Sequence, residues 1–153
     1  MQETFAEEKA APGYKAPGFA LNNLQGQPEN LENYRGKVVI LNFWATWCAP
    51  CRVEMPSFET LYQRYRSEGL TVLAVSIDKT GVEGVQKFAR EYQLSFPILM
   101  DTGGKAEKLY PSLAIPATFV IDKTGRVVTK VDGAKNWASR ETFEAVEYLL
   151  KRM

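Results

Sequence analysis

The segment Val38-Val-Ile-Leu-Asn-Phe-Trp44 constrains the fold more than any other part of the chain. It is apolar on both alternating faces, apart from Asn42. It is bounded by Gly36 and by the loop that leads into the cysteines. A run apolar on both faces belongs to a central strand covered above and below. An amphipathic helix comes next, from about Cys48 to Tyr65, with Met55, Phe58, Leu61, Tyr62 and Tyr65 on its inner stripe. Gly69 is a C-terminal stop. Leu70–Ile77 is a second buried strand. The segment 38–77 is therefore a strand–helix–strand unit, which requires parallel pairing across a crossover.

The rest of the chain continues the alternation. Phe19, Leu21 and Leu24, the Gln25–Pro28 turn and Leu31 predict a short N-terminal hairpin. Val82–Tyr92 predicts a helix with Val85, Phe88, Ala89 and Tyr92 inward. After it come a short strand over Phe96–Met100 and a short helix over Lys105–Tyr110. Ala117–Ile121 and Arg126–Val131 are strands joined by the turn Asp122-Lys-Thr-Gly125. A last helix spans Arg140–Leu150, with Phe143, Val146, Leu149 and Leu150 inward. The fold class is α/β, with a central mixed sheet, helices on both faces and an antiparallel edge from the last hairpin. Residues 1–13 read as a flexible arm and 14–153 as one domain, in keeping with a length of 153 residues.

Composition excludes several functions. Nineteen basic against eighteen acidic residues leave +1, which gives no electrostatic reason for nucleic acid or an anionic membrane as partner. No apolar run is long enough to cross a bilayer. The opening MQETFAEEKAAPG lacks the basic and apolar regions of a signal peptide. Histidine is absent, which excludes Ser/His and Cys/His catalytic pairs and imidazole metal sites.

The two cysteines, Cys48 and Cys51, admit four chemistries. Covalent haem attachment needs a histidine after the second cysteine, where Arg52 stands. Zinc would need carboxylates to complete a half-site. A structural disulfide closing so short a loop contributes only about 2 kcal/mol in the chain-entropy model. A redox pair fits best. Cys48 at the helix N-terminus meets free N–H groups and the positive end of the dipole, which favour its thiolate. Cys51, one turn on, is within bonding reach. Pro50 is tolerated in the first turn. No cofactor is needed beyond the disulfide itself, and no metal.

The stretch NFWATWCAPCRVEMP resembles the active-site segment of the thioredoxin superfamily, in particular its TlpA/ResA-like (DsbE/CcmG-like) branch of thiol-disulfide oxidoreductases. Trp47 matches the tryptophan before the first cysteine, and Pro56 the proline within the helix. AIPATFVID resembles the segment in which a cis-proline, here Pro116, opens a strand facing the cysteines. The resemblance covers about residues 14–150. It implies a thioredoxin-like fold with an added N-terminal hairpin, catalysis by Cys48 and Cys51, and substrate contact or support from Trp47, Ala49, Pro50, Ile115 and Pro116. It further implies a protein disulfide or dithiol as substrate, in its most specific form apocytochrome c before haem attachment. An upstream membrane redox partner, a monomeric state and an extracytoplasmic location, periplasmic or membrane-anchored, are also implied.

Asn42 stands where thioredoxin itself has a buried proton-accepting aspartate, and an amide cannot take that proton. Asparagine here is similar to the TlpA/ResA branch. That branch carries a glutamate near the end of the strand after the helix, a place taken here by Lys79 with Asp78 beside it. Asp78 reads as a solvated strand-end carboxylate, with proton acceptor as the alternative. Glu54 reads as a solvated residue or a partner of Arg52 or Lys79, with an influence on the thiols as the alternative. The uncharged Ala49-Pro50 dipeptide favours a reductase. A peroxiredoxin-like thiol peroxidase is the competing function, but Thr46 lies two residues before Cys48 rather than the three which that active site requires.

Overall fold

The computed structural model describes residues 7–152. Its strands are β1 (Ala20–Asn23), β2 (Pro28–Asn30), β3 (Val38–Trp44), β4 (Leu70–Ser76), β5 (Ile98–Met100), β6 (Ala117–Ile121) and β7 (Val127–Asp132). Its helices are α1 (Ala49–Tyr65), α2 (Glu83–Glu91), α3 (Lys105–Leu109) and α4 (Arg140–Lys151). The strands form one mixed sheet in the order β2-β1-β5-β4-β3-β6-β7. The apolar run became the strand expected of it: β3 pairs in parallel with β4 and antiparallel with β6, and all seven of its residues are buried.

Two parallel crossovers, β3–α1–β4 and β4–α2–β5, step across the sheet in the same direction. Right-handed connection therefore places α1 and α2 on the same face. Side chains of β3 alternate accordingly. Trp44 packs on Phe88 of α2 with ring centroids 5.1 Å apart. Phe43 turns to the other face, against Tyr110 at 5.4 Å and Phe119 at 6.1 Å. Asn42 shares the face of Trp44, the face under α1 and α2.

The N-terminal hairpin forms and extends the sheet through antiparallel pairing of β1 with β5. The final hairpin adds the antiparallel edge. Its turn is held by Asp122, whose Oδ1 accepts from Thr124 N at 3.0 Å and Arg126 N at 3.1 Å, with Gly125 at φ 90°. Helix α1 ends through a short 3-10 turn at Gly69, which adopts φ 106°.

Three expectations need adjustment. Cys48 is the N-cap of α1 and lies outside the helix, because its φ and ψ (−95° and 108°) are extended. Tyr92 is on the rim, 36% exposed, because α2 ends before it and its ring stacks on Phe88 from outside at 4.0 Å. Of the arm expected over 1–13, residues 1–6 lie outside the described residues. The part from Glu7 on folds against the final hairpin: Gly13 N donates to Val127 O at 2.8 Å and Val127 N to Tyr14 O at 2.9 Å.

Phe119 is fully buried and shares a cluster with Phe43 and Tyr110. Phe119→Ala should cost about 3–5 kcal/mol by leaving a cavity there. The check is a urea titration in which the midpoint falls and the slope stays as in the wild type.

Candidate active site

Strand β3 ends at Trp44 and the chain turns through Ala45-Thr46-Trp47 into α1. The turn is closed by Cys48 N donating to Ala45 O at 3.2 Å. Cys48 thereby arrives at the N-terminus of a 17-residue helix, where its sulfur accepts from Cys51 N at 3.3 Å. Ala49 and Pro50 are the first two helical residues, and the missing N–H of Pro50 falls where no intrahelical acceptor is needed. Cys48 and Cys51 form a disulfide with Cα atoms 5.3 Å apart. The sulfurs are unequal in environment. Cys51 is fully buried, whereas Cys48 keeps an edge at the surface beside Trp47, which is 66% exposed.

The loop before β6 faces this pair. The Ile115–Pro116 bond is cis, as the sequence suggested. The carbonyl oxygen of Ile115 lies 3.9 Å from Cys48 Sγ. Beside it Phe43, Ile77, Tyr110, Leu113 and Ile115 line a cleft of about 190 Å³, with Glu107 also on its wall. Leu113 is wholly exposed at its rim. The structure thus brings Trp47, Cys48, Ala49, Pro50, Cys51, Ile115 and Pro116 to one place.

The two carboxylates differ from their sequence readings. Glu54 is neither solvated nor paired with Arg52 or Lys79. It is 2% exposed, and its Oε2 accepts from Trp137 Nε1 at 2.7 Å and Lys135 N at 3.1 Å. Its Oε1 has no hydrogen-bond partner among the described residues. Burial is the dominant influence and pushes its pKa up to about 7, against the lowering effect of those two donors. Glu54 lies three residues after Cys51, on the same face of α1 as Cys51 and Phe58. That spacing was the signal in the sequence. Its partner Trp137, in the loop before α4, stacks on Phe58 with centroids 5.1 Å apart and carried no local sign of a role.

Asp78 is also buried rather than solvated, at 4% exposure. It receives Thr46 N at 3.1 Å, Thr46 Oγ1 at 2.6 Å and Ser76 Oγ at 2.6 Å. Lys79 is exposed and meets Glu107 at 3.7 Å. Asn42 Nδ2 donates to Thr118 Oγ1 at 3.1 Å, while its Oδ1 has no partner among the described residues. No group of three or more His, Cys, Asp or Glu side chains is placed to hold a metal ion among the described residues. No helix among them is long and apolar enough to cross a membrane.

A sheet of this order with a CxxC helix and a facing cis-proline defines the thioredoxin-like class, and comparison with known proteins narrows it. The sequence profile of the AhpC/TSA family matches residues 12–130. The thiol-disulfide oxidoreductase ResA of Bacillus thuringiensis subsp. konkukian is 38% identical over 147 residues, covering 96% of this chain and 81% of that protein. ResA of Bacillus subtilis is 35% identical over 127 residues, or 83% of this chain and 70% of the relative. Among solved structures, a Chlorobium tepidum protein described as a thiol:disulfide interchange protein DsbE superposes with a TM-score of 0.82 at 30% identity, covering 94% of this chain and 98% of that one. StoA from Bacillus subtilis gives 0.70 at 26% identity, over 90% and 98%. The chain belongs to the AhpC/TSA family and, within it, to the ResA-like thiol-disulfide oxidoreductases. The peroxidase alternative has less support, since these relatives are named for disulfide exchange.

Because burial raises the folded pKa of Glu54 above its ordinary value of 4.5 to about 7, folding favours its protonated form. The oxidised protein should lose up to roughly 3 kcal/mol of stability as pH rises from about 4.5 through 7. Glu54→Gln should flatten that part of the profile while keeping the bond from Trp137. Urea unfolding of both proteins at pH 4.5, 6 and 8 measures it.

Proposed function

We propose that this protein reduces disulfides in partner proteins by dithiol–disulfide exchange, with Cys48 attacking and Cys51 resolving. The observation that carries the reading is the position of Cys48 Sγ. It sits at the N-terminus of α1, receives the Cys51 N–H, and meets the surface beside Trp47 and the Ile115 carbonyl. In the reduced protein the N–H groups and dipole of α1 favour the Cys48 thiolate. That thiolate attacks one sulfur of the substrate disulfide. The substrate S–S bond breaks, a Cys48–substrate bond forms, and the substrate's second sulfur leaves as a thiolate that takes up a proton.

Cys51 then releases its proton to the Glu54 carboxylate, one helical turn away, whose pKa of about 7 suits a group that must accept and later return a proton. The Cys51 thiolate attacks Cys48 Sγ, the Cys48–substrate bond breaks, and the released substrate sulfur leaves as a thiolate that takes up a proton to complete the dithiol. The products are reduced substrate and the Cys48–Cys51 disulfide. A second dithiol protein must restore the reduced pair.

Trp47 and the cleft beside Ile115 offer apolar contact to the substrate chain, and the Ile115 main chain offers hydrogen bonding next to Pro116. Ala49 and Pro50 leave the pair free of side-chain charge, in keeping with a reductase. The similarity to ResA and DsbE proteins supports a place outside the cytoplasm, in the periplasm or on a membrane anchor. There the substrate would be the cysteine pair of apocytochrome c and the electron donor a membrane dithiol protein. The catalytic unit is a single domain over 14–153 with the segment from Glu7 folded onto it, acting as a monomer.

Cys48→Ser should abolish insulin reduction. Cys51→Ser should accumulate a mixed disulfide with the substrate, visible as a non-reducing gel shift. Normal turnover by the Cys51 variant would sink the two-cysteine mechanism. Alkylation of Cys48 as a function of pH should give a thiol pKa below the ordinary value of about 8.5, and a value at or above it would remove the role given to the helix N-terminus.

A further inference from the structure

Thr46 takes no part in the exchange, yet its main-chain and side-chain donors both go to one carboxylate. Asp78, 4% exposed, accepts Thr46 N at 3.1 Å, Thr46 Oγ1 at 2.6 Å and Ser76 Oγ at 2.6 Å. All of these partners can donate, and an ionised carboxylate, which only accepts, satisfies them together. Among the described residues no cation joins them. The ion pairs among the described residues are Lys79 with Glu107 and Lys130 with Asp132. A negative charge is thus held in the interior by dipoles alone, where its field is little screened.

Its place gives that field a target. Ile77 N donates to Trp44 O at 2.9 Å, extending the β3–β4 ladder by one rung and delivering Asp78 to the side of the turn after β3. Thr46 is the second residue of that turn, and Cys48, whose N–H closes it, is the fourth. The carboxylate therefore fixes the turn that sets Cys48 at the helix N-terminus, and puts a negative charge next to the residues leading into it.

We infer that Asp78 is a positioning residue that locks the Ala45–Cys48 turn and, through its charge, holds the Cys48–Cys51 couple on the reducing side. This rests on the assignment of Cys48 as the attacking sulfur. The helix N-terminus stabilises the Cys48 thiolate and so stabilises the reduced state. A nearby negative charge opposes it, while leaving the neutral disulfide nearly untouched. Couples whose reduced form is strongly stabilised are oxidants, so the opposing charge moves this one toward reductant. Asp78 forms no bond with substrate and accepts no proton in the exchange.

The test is redox equilibration of the whole protein with glutathione, alongside the pH dependence of Cys48 alkylation. Asp78→Asn keeps the shape and an acceptor oxygen for Thr46 but removes the charge. Its equilibrium constant should shift about tenfold toward the reduced protein, equal to about 30 mV less negative, with a lower Cys48 pKa. Thr46→Val removes one donor from the carboxylate and leaves the charge less compensated. It should shift both quantities the other way. A folded Asp78→Asn with unchanged potential and unchanged thiol pKa overturns the inference. Where near-ultraviolet circular dichroism finds that variant unfolded, an unmoved Thr46→Val overturns it instead. The potential is a property of the couple whichever sulfur attacks first. Failure here is therefore distinct from failure of the Cys48→Ser and Cys51→Ser experiments.

Discussion

Pairing of β3 along both of its edges is the constraint on which the rest of the molecule depends. Its hydrogen bonds run to β4 on one side and β6 on the other, and both flanking strands present a terminus beside the cysteines. β4 delivers Asp78 to the turn after β3, and β6 begins at the cis-proline loop. A strand with a free edge would present one of these two arms, not both. Side chains just beyond β3 therefore meet groups from segments 32 and 67 residues away in the chain, as Thr46 meets Asp78 and Cys48 meets Ile115.

Elements with a strong local pattern were legible. The apolar run of β3, the stripe of α1 and the Asp122–Gly125 turn all encode their conformation within a few residues. So did the cysteine pair, because helix start, Pro50 and the i,i+3 spacing are local facts. The state of the charged residues escaped. From the sequence alone Glu54 reads as solvated or paired with Arg52 or Lys79, and Asp78 as solvated, because a lone carboxylate is seldom buried without partners. The partners exist, but Trp137 lies 83 residues from Glu54 and Thr46 lies 32 from Asp78. Only the completed sheet brings them together. Glu54 could have been suspected from its place on the Cys51–Phe58 face; Asp78 offered no such sign.

The two buried carboxylates have opposite surroundings, and this divides their chemistry. Glu54 leaves one oxygen without a partner among the described residues and has a pKa near neutrality, conditions that suit exchange of a proton with Cys51. Asp78 accepts from every neighbour given to it, conditions that suit a fixed charge. Asn42, which stands where thioredoxin keeps its own acid, is tied to Thr118 and carries no charge. On the proposed reading the proton-handling group has moved from the sheet to the helix.

The edges of the sheet bear on how the protein meets others of its kind. On one side β2 is three residues long and begins with Pro28, which has no N–H to offer. On the other, the segment around Gly13–Ala16 covers the turn and the start of β7, and the Lys130–Asp132 pair marks the remainder with charge. Short, proline-bearing, covered or charged edges are poor templates for strand addition. On the proposed reading, in which the substrate is a protein disulfide, extended polypeptide can meet the molecule at every encounter. Blunted edges keep such chains from adding to the sheet as extra strands, so that a client is released when its sulfur is.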